Sequence, residues 1–339
     1  MDFSLGEDRT MLADSLRRTL ARGADWGALA ELGVMGALFT EAEGGFGGAG
    51  ADLMVVFQEL GRAGCDLPVL DCGLGGGLLA DAGCRAEVER IVAGDLRATA
   101  ALYEPGHRYD LTPALTVAQG GRLTGRKTAV GGADEAGVLV VSALDGGAPG
   151  LFLVEAGAPG LTLYTTPALH GGSVSEIALD GVPAQRLDLP GGALAARIAA
   201  ATLAVCADAL GALETVRDLT LDYLRTRKQF GVPIGSFQAL QHRMADAVIE
   251  IEQARSAVIN LAGHLHAAPA LRDRHVAATK NLMGRVCRHV IEESIQMHGG
   301  IAVTEAYALA PLARRLTALD HRFGDEDHHL ERFIALSAA

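Results

Sequence analysis

The sequence predicts an α+β protein in three consecutive segments: helices over residues 1–97, a β barrel or sandwich over 98–190, and a helical bundle over 191–339. Two observations carry this. Apolar residues recur at helical spacing at both ends of the chain, and short β-branched or apolar runs recur about every ten residues in the middle. A third is composition: 49% hydrophobic and 21% charged residues exclude a disordered chain, and 339 residues at roughly 150 per domain allow two or three domains.

In the first segment, Leu12, Leu16 and Leu20 share one helical face, and Val55, Val56, Leu60 and Ala63 share another. Between them EAEGGFGGAGAD (41–52) is too glycine-rich to stay helical. The second segment reads as strands ATAALY, LTPALTV, AGVLVVSA, GLFLVEA, LTLYTT and VSEIALD, punctuated by Gly, Pro and Asp. In the third, a helix over 194–227 carries Leu203, Cys206, Leu210 and Leu213. After GVPIGS a second helix carries a near-heptad seam of Phe237, Leu240, Met244, Val248, Ile251, Val258, Leu261 and Leu265. A third runs from Arg272 to His298 and stops at Gly299-Gly300, and a fourth begins near Glu305 or Pro311. Four such antiparallel helices make a bundle.

The charge balance is 29 Lys and Arg against 41 Asp and Glu, a net of −12, which repels phosphate backbones and argues against a nucleic-acid partner. The N-terminus is acidic and amphipathic, without the basic start and apolar stretch of a secretory leader, and no run approaches 18 uninterrupted apolar residues; the expectation is a cytoplasmic protein away from membranes. The five cysteines show no C-x-x-C spacing and read as reduced core thiols.

Chemistry concentrates in YLRTRKQFGVPIGSFQ (223–238), where Arg225, Arg227 and Lys228 stand at the end of a long helix. Cations there favour the helix macrodipole. They also suit an anion site, in which Arg227 grips a pyrophosphate through its planar fork while Phe230 offers an apolar face to an aromatic ring. The second such stretch is SIQMHGGIAVTEAY (294–307), whose paired glycines let a ligand approach the backbone.

Together RTRKQFGVPIGSFQ and QMHGG resemble the C-terminal domain of the acyl-CoA dehydrogenases, flavoenzymes that make the α,β double bond of an acyl thioester. WGALAELGVMGALFTEAEGGFGG (26–48), GRLTGRKTAVGGADEAGVLVVSA (121–143) and SEIALDGVPAQRLD (175–188) extend the resemblance along the whole chain. It implies that family's helical, β and four-helix-bundle domains. It also implies that Arg227, Phe230 and Gln238 contact FAD across a subunit interface, with Gln296, Gly299 and Gly300 near its adenine end.

Two departures bear on catalysis. The family's proton abstraction needs a carboxylate base, usually in a Tyr-Glu-Gly-Thr type loop before the last helix. Here HRFGDEDHH (321–329) puts Gly324 at the Glu position, and the alternative position on the first long helix of the bundle is Ala201, followed by Thr202. On the flavin-ring side, Thr-Glu-Pro followed by Gly-Ser-Asp is represented by LYEPGHRYD (102–110), with Tyr103 for the Thr, and Ala129-Val130-Gly131 lacks the usual Trp and hydroxyl. These losses resemble the shorter subunit of heteromeric family members, including those acting on steroid side chains. The implied protein completes a shared FAD site with a homologous catalytic subunit in a heterotetramer, takes acyl-CoA, and passes electrons to electron-transfer flavoprotein or a similar acceptor. The catalytic residue stays unassigned. Two other readings stay open: a flavin-free scaffold subunit, and a self-sufficient homo-oligomer using Asp325 or Glu326 as base. Those carboxylates, with Asp327, also suit the dipole of the last helix. His321, His328 and His329 lack the helical spacing of a metal site, so no metal is expected.

Overall fold

The computed structural model describes residues 5–169 and 171–338. In chain order the helices are α1 (Glu7–Leu20), α2 (Trp26–Glu31), α3 (Val34–Ala37), α4 (Gly50–Ala63), α5 (Val69–Asp81) and α6 (Arg85–Val92). Strands β1 (Ala98–Ala101), β2 (Val117–Gln119), β3 (Arg122–Gly131), β4 (Val138–Asp145), β5 (Ala148–Glu155), β6 (Leu161–Pro167), β7 (Ser173–Pro183) and β8 (Gln185–Leu187) follow. The remainder is α7 (Ala193–Thr226), the hairpin β9 (Lys228–Gln229) and β10 (Val232–Pro233), then α8 (Gln238–His264), α9 (Pro269–His298), α10 (Leu309–Asp320) and α11 (Glu326–Ala338). Helices, a β middle and a helical C-terminal part therefore succeed one another as the periodicity implies.

The chain forms two compact units. One is built from the segments through Gly23, Ala49–Cys65 and from Thr202 onward; the other from Ala24–Gly48 and Asp66–Ala201.

In the first unit, α4 and α7 meet through glycine. A Cβ at Gly61 would stand 1.9 Å from the Asp208 carbonyl oxygen, and one at Gly211 would stand 1.9 Å from that of Gln58, so neither position accepts a side chain. The seam on α8 buries Met244, Ile251, Val258, Leu261 and Leu265, while Phe237, at the start of that seam, stays 39% exposed because it precedes the helix. Buried charges are paired: Glu214 accepts from Gln58 at 2.9 Å and meets Arg62 and Arg255, and Arg315 holds Asp208 at 2.5 and 2.8 Å. Among the described helices α7 alone has the length and apolarity to cross a membrane, and 61% of its most apolar stretch is buried within the protein, as in a core helix.

In the second unit the eight strands form one sheet in the order β6-β7-β3-β2-β4-β5-β8, with β1 beside β4. It is mixed, since β4 pairs in parallel with both β1 and β2. Gly146 and Gly147, both at positive φ, close the two-residue β4–β5 hairpin as such turns require. Leu123, Val130, Leu139, Val141, Phe152 and Ile177 form the core of the sheet. The expected strand over LTPALTV is reduced to β2. The N–H groups of Ala114, Leu115 and Thr116 donate to the Glu104 carboxylate at 2.7–2.9 Å instead of to a neighbouring strand. Of the five thiols, Cys72, Cys206 and Cys287 are buried, whereas Cys65 and Cys84 are half-buried.

Candidate functional site

The helix ends of the first unit bring the two motifs together. The α7 helix stops where the Arg227 N–H donates to the Tyr223 carbonyl at 2.8 Å, and the chain turns through Phe230 and Gly231, at φ 53° and 81°. Positive φ at both central residues is the requirement of a type I′ hairpin, and a non-glycine residue meets it at a cost of order 1 kcal/mol or more. The turn leaves the Phe230 ring 92% exposed, with Phe237 edge-on at 6.1 Å. The Ile234 N–H closes the loop on the Arg227 carbonyl at 2.8 Å, and Gln238 opens α8.

Leu224 from α7, Met244 from α8 and Met297 from α9 pack as one cluster, which sets the C-terminus of α9 beside this hairpin. The His298 ring stacks on Tyr223 with centroids 4.5 Å apart, and Tyr307 borders both. Gln296, Gly299 and Gly300 are exposed, and a Cβ at either glycine would meet nothing within 4 Å. The six residues named from sequence thus gather at one end of this unit. The side chains of Arg227, Gln238 and Gln296 form no hydrogen bond or ion pair with the other described residues. A dinucleotide fits such a surface: an unspent guanidinium for pyrophosphate, an open aromatic face and accessible backbone at the glycines.

The loop between α10 and α11 is closed to a base. Gly324 has φ 109°, and a Cβ there would lie 2.5 Å from His328 Cδ2 and 2.7 Å from His329 Nε2. His329 is fully buried and its Nε2–H donates to the Phe323 carbonyl at 3.0 Å, so it cannot swing aside. Burial pushes its pKa down to about 3 despite that bond, and the ring is neutral. Asp325 caps α11, its Oδ1 accepting the His328 N–H at 3.0 Å, and Glu326 is held by Arg288 at 2.6 Å. Both carboxylates are engaged in structure. Ala201, the other position where a base is sought, is buried in α7 with Thr202 beside it.

On the β side, a side chain at Gly131 would have to displace the Asp71 carboxylate, whose Oδ1 lies 2.5 Å from where its Cβ would stand. Ala129 sits at φ 55° in a bulge of β3. The sequence reading passed over Glu104 as a partner of Lys127. Lys127 Nζ is fully buried and donates to Glu104 and Ser142, each at 2.9 Å. Burial alone would raise the Glu104 carboxyl, but Lys127, the Ala114 and Leu115 N–H groups and Thr116 hold it at about 2. The available signal was a lysine inside a strand in a chain with three lysines. The same unit contains a cavity of about 410 Å³ lined by Leu111, Pro113, Leu151, Arg186, Leu187 and Leu194. That volume lies within the range of small-molecule sites.

Comparison with known proteins agrees with this picture. The family described as acyl-CoA dehydrogenase, N-terminal domain, matches residues 8–94, and acyl-CoA dehydrogenase, C-terminal domain, matches residues 193–335. Acyl-CoA dehydrogenase FadE28 of Mycobacterium tuberculosis is 30% identical over 342 residues, covering 98% of this chain and 97% of its own. Among solved structures, a Tcur3481-Tcur3483 steroid ACAD variant superposes with a TM-score of 0.89 at 29% identity over 99% of each chain. The ChsE4-ChsE5 complex from Mycobacterium tuberculosis does so with a TM-score of 0.90 at 25% identity, over 100% of this chain and 99% of that one.

Proposed function

Because the chain belongs to the acyl-CoA dehydrogenase family, we propose that it is the base-lacking subunit of an FAD-dependent acyl-CoA dehydrogenase, completing a shared FAD site with a homologous catalytic subunit in a heterotetramer. The observation that carries this reading is the closed Gly324 position, and the outward-facing hairpin that carries Arg227 and Phe230 at another part of the unit supports it. A self-sufficient enzyme needs a carboxylate base, and of the two positions that supply one this chain closes Gly324 with His329 and has Ala201 at the other. A scaffold without flavin has no use for an unpaired arginine at the edge of an open glycine pair. The relatives whose names speak of a complex or a steroid enzyme support a heteromeric assembly in steroid or fatty-acid breakdown.

In this reading bound FAD supplies the hydride acceptor of α,β-dehydrogenation. Arg227 neutralises pyrophosphate, Phe230 covers an aromatic face, Gln238 and Gln296 offer side-chain amides, and Gly299-Gly300 presents bare backbone. Gly131 and Asp71 leave the ring side of the second unit without a hydroxyl donor, so the ring is held by the partner. The leucine-walled cavity is where this chain would touch the acyl-CoA. Electrons leave to electron-transfer flavoprotein or a similar acceptor, in the cytoplasm.

The test is the flavin absorbance of the chain purified alone and again with the product of its neighbouring gene. Little flavin alone and full occupancy in the complex is the expected result; one tightly held FAD per isolated chain overturns the reading.

A further inference from the structure

We propose that His298 is a positioning residue for the cofactor, its ring fixing the spacing between the Arg227 hairpin and the Gly299-Gly300 edge. The inference rests on the reading above and adds to it a residue that touches neither pyrophosphate nor adenine.

The two motifs come from different helices and are far apart in sequence, yet a dinucleotide must span both. What joins them is aromatic. The His298 ring lies on Tyr223 with centroids 4.5 Å apart and planes at 28°, while Tyr307 stands 5.3 Å from His298 and 6.3 Å from Tyr223. Each partner is tied to one half of the site by the backbone. The Tyr223 carbonyl accepts the Arg227 N–H at 2.8 Å, so a displaced Tyr223 carries the arginine with it. His298 directly precedes Gly299, and its Nδ1–H donates to the Ser294 carbonyl at 2.8 Å, locking the last turn of α9.

The other ring nitrogen shows what the ring is for. His298 is 4% exposed, and its Nε2 makes no hydrogen bond of good geometry, although the Leu219 backbone bears on the ring besides that of Ser294. A buried nitrogen so poorly paired costs free energy that hydrogen bonding does not return. The ring is held by its faces, by the Ser294 carbonyl and more weakly by the Leu219 backbone, and burial favours its neutral form. A site fixed before binding loses less entropy when ligand arrives, so loosening this stack appears as lost affinity.

Two aromatic contacts of ordinary strength together correspond to about tenfold in an equilibrium constant. In the assembled complex, His298→Ala is therefore expected to weaken FAD binding about tenfold, measured by equilibrium dialysis with flavin fluorescence. His298→Phe, which keeps the stack and loses Nδ1, should stay within about threefold of wild type, and Tyr223→Ala should copy His298→Ala. Should His298→Ala fail to fold, the Phe and Tyr223 variants decide. Equal losses in the Ala and Phe variants, or a His298→Ala affinity within twofold of wild type, overturn the proposal. Arg227→Ala is measured alongside. If it loses FAD and the His298 variants do not, the positioning role alone fails; if Arg227→Ala retains FAD, the shared-site reading fails, and with it the role of His298, whatever that variant shows.

Discussion

Adding one methyl group at Gly324 tests whether the base position is closed or merely vacant. In Gly324→Ala the new Cβ would lie 2.5 Å from His328 Cδ2 and 2.7 Å from His329 Nε2, at a backbone φ of 109°. The half-exposed His328 can rotate away. His329 cannot, since it is fully buried and bonded to the Phe323 carbonyl. Strain at this φ costs about 1 to 3 kcal/mol, and overpacking against a fixed ring about 1 to 3 kcal/mol more. The expected loss is therefore roughly 2 to 6 kcal/mol, read as a lower urea midpoint at unchanged slope. In a His329→Ala background the steric part disappears, and Gly324→Ala should cost only the strain, so the two substitutions couple by about 1 to 3 kcal/mol. Gly324→Glu should confer no dehydrogenation of acyl-CoA. A Gly324→Ala penalty below about 0.5 kcal/mol, or activity in the Glu variant, would show that a side chain fits there and refute the closed-site reasoning.

Three further outcomes follow from buried or capping groups. The folded His329 pKa of about 3 lies below the ordinary 6.5, so the stability it contributes is present above pH 6.5 and is lost as pH falls toward 3; His329→Gln, which retains a donor for Phe323, should flatten the fall by about 1.4 kcal/mol per pH unit in unfolding titrations between those limits. Lys127→Met strands the Glu104 carboxylate beside three N–H groups and should cost about 3 to 5 kcal/mol in urea unfolding. Since Glu104 titrates at about 2 when paired, against 4.5 ordinarily, wild type loses stability below pH 4.5 and the variant should lose less. Asp325→Asn with Glu326→Gln should cost about 1 kcal/mol through the α11 cap and dipole, with turnover of the complex changed at most a few-fold, whereas loss of a true base lowers it about 10²- to 10⁴-fold.

What the sequence made legible is local. The stripe over 194–227 becomes α7, ending one residue earlier where Arg227 bonds back to Tyr223, and the periodicity from Arg272 becomes α9, which starts at Pro269 because proline suits a first helical turn. Ala63, read onto the apolar face of α4, is exposed in the helix's last turn, where no neighbouring element covers it. Long-range pairing was illegible. Glu104 and Lys127 stand 23 residues apart with nothing in their spacing to join them, and their union takes the backbone donors that would have made a strand of LTPALTV. That position 324 carries no carboxylate is plain in the sequence. That the position is also filled depends on the His329 rotamer, which only packing decides.

The cost structure of the first unit then gives the bare hairpin its meaning. Its buried cations are met by carboxyl groups: Arg315 by Asp208, Arg272 by Asp273, and Lys280 by Asp320 at 3.6 Å together with that residue's carbonyl at 2.6 Å. The chain carries 41 acidic side chains for 29 Lys and Arg, so carboxylates are plentiful. Arg227 nevertheless takes none among the described residues, and next to it Phe230 holds positive φ while exposing 92% of its surface. Within one chain neither feature lowers the free energy: the strained turn costs about 1 kcal/mol or more, and the exposed ring forgoes the roughly 1.5 to 3 kcal/mol of burial. A ligand bearing a pyrophosphate and an aromatic ring, pressed on by a second subunit, recovers both at once. Arg22, Arg85, Arg225 and Arg285 are also exposed without a carboxylate among the described residues, so it is Phe230, exposed at positive φ, that sets this hairpin apart as the face the proposed function gives to cofactor and partner.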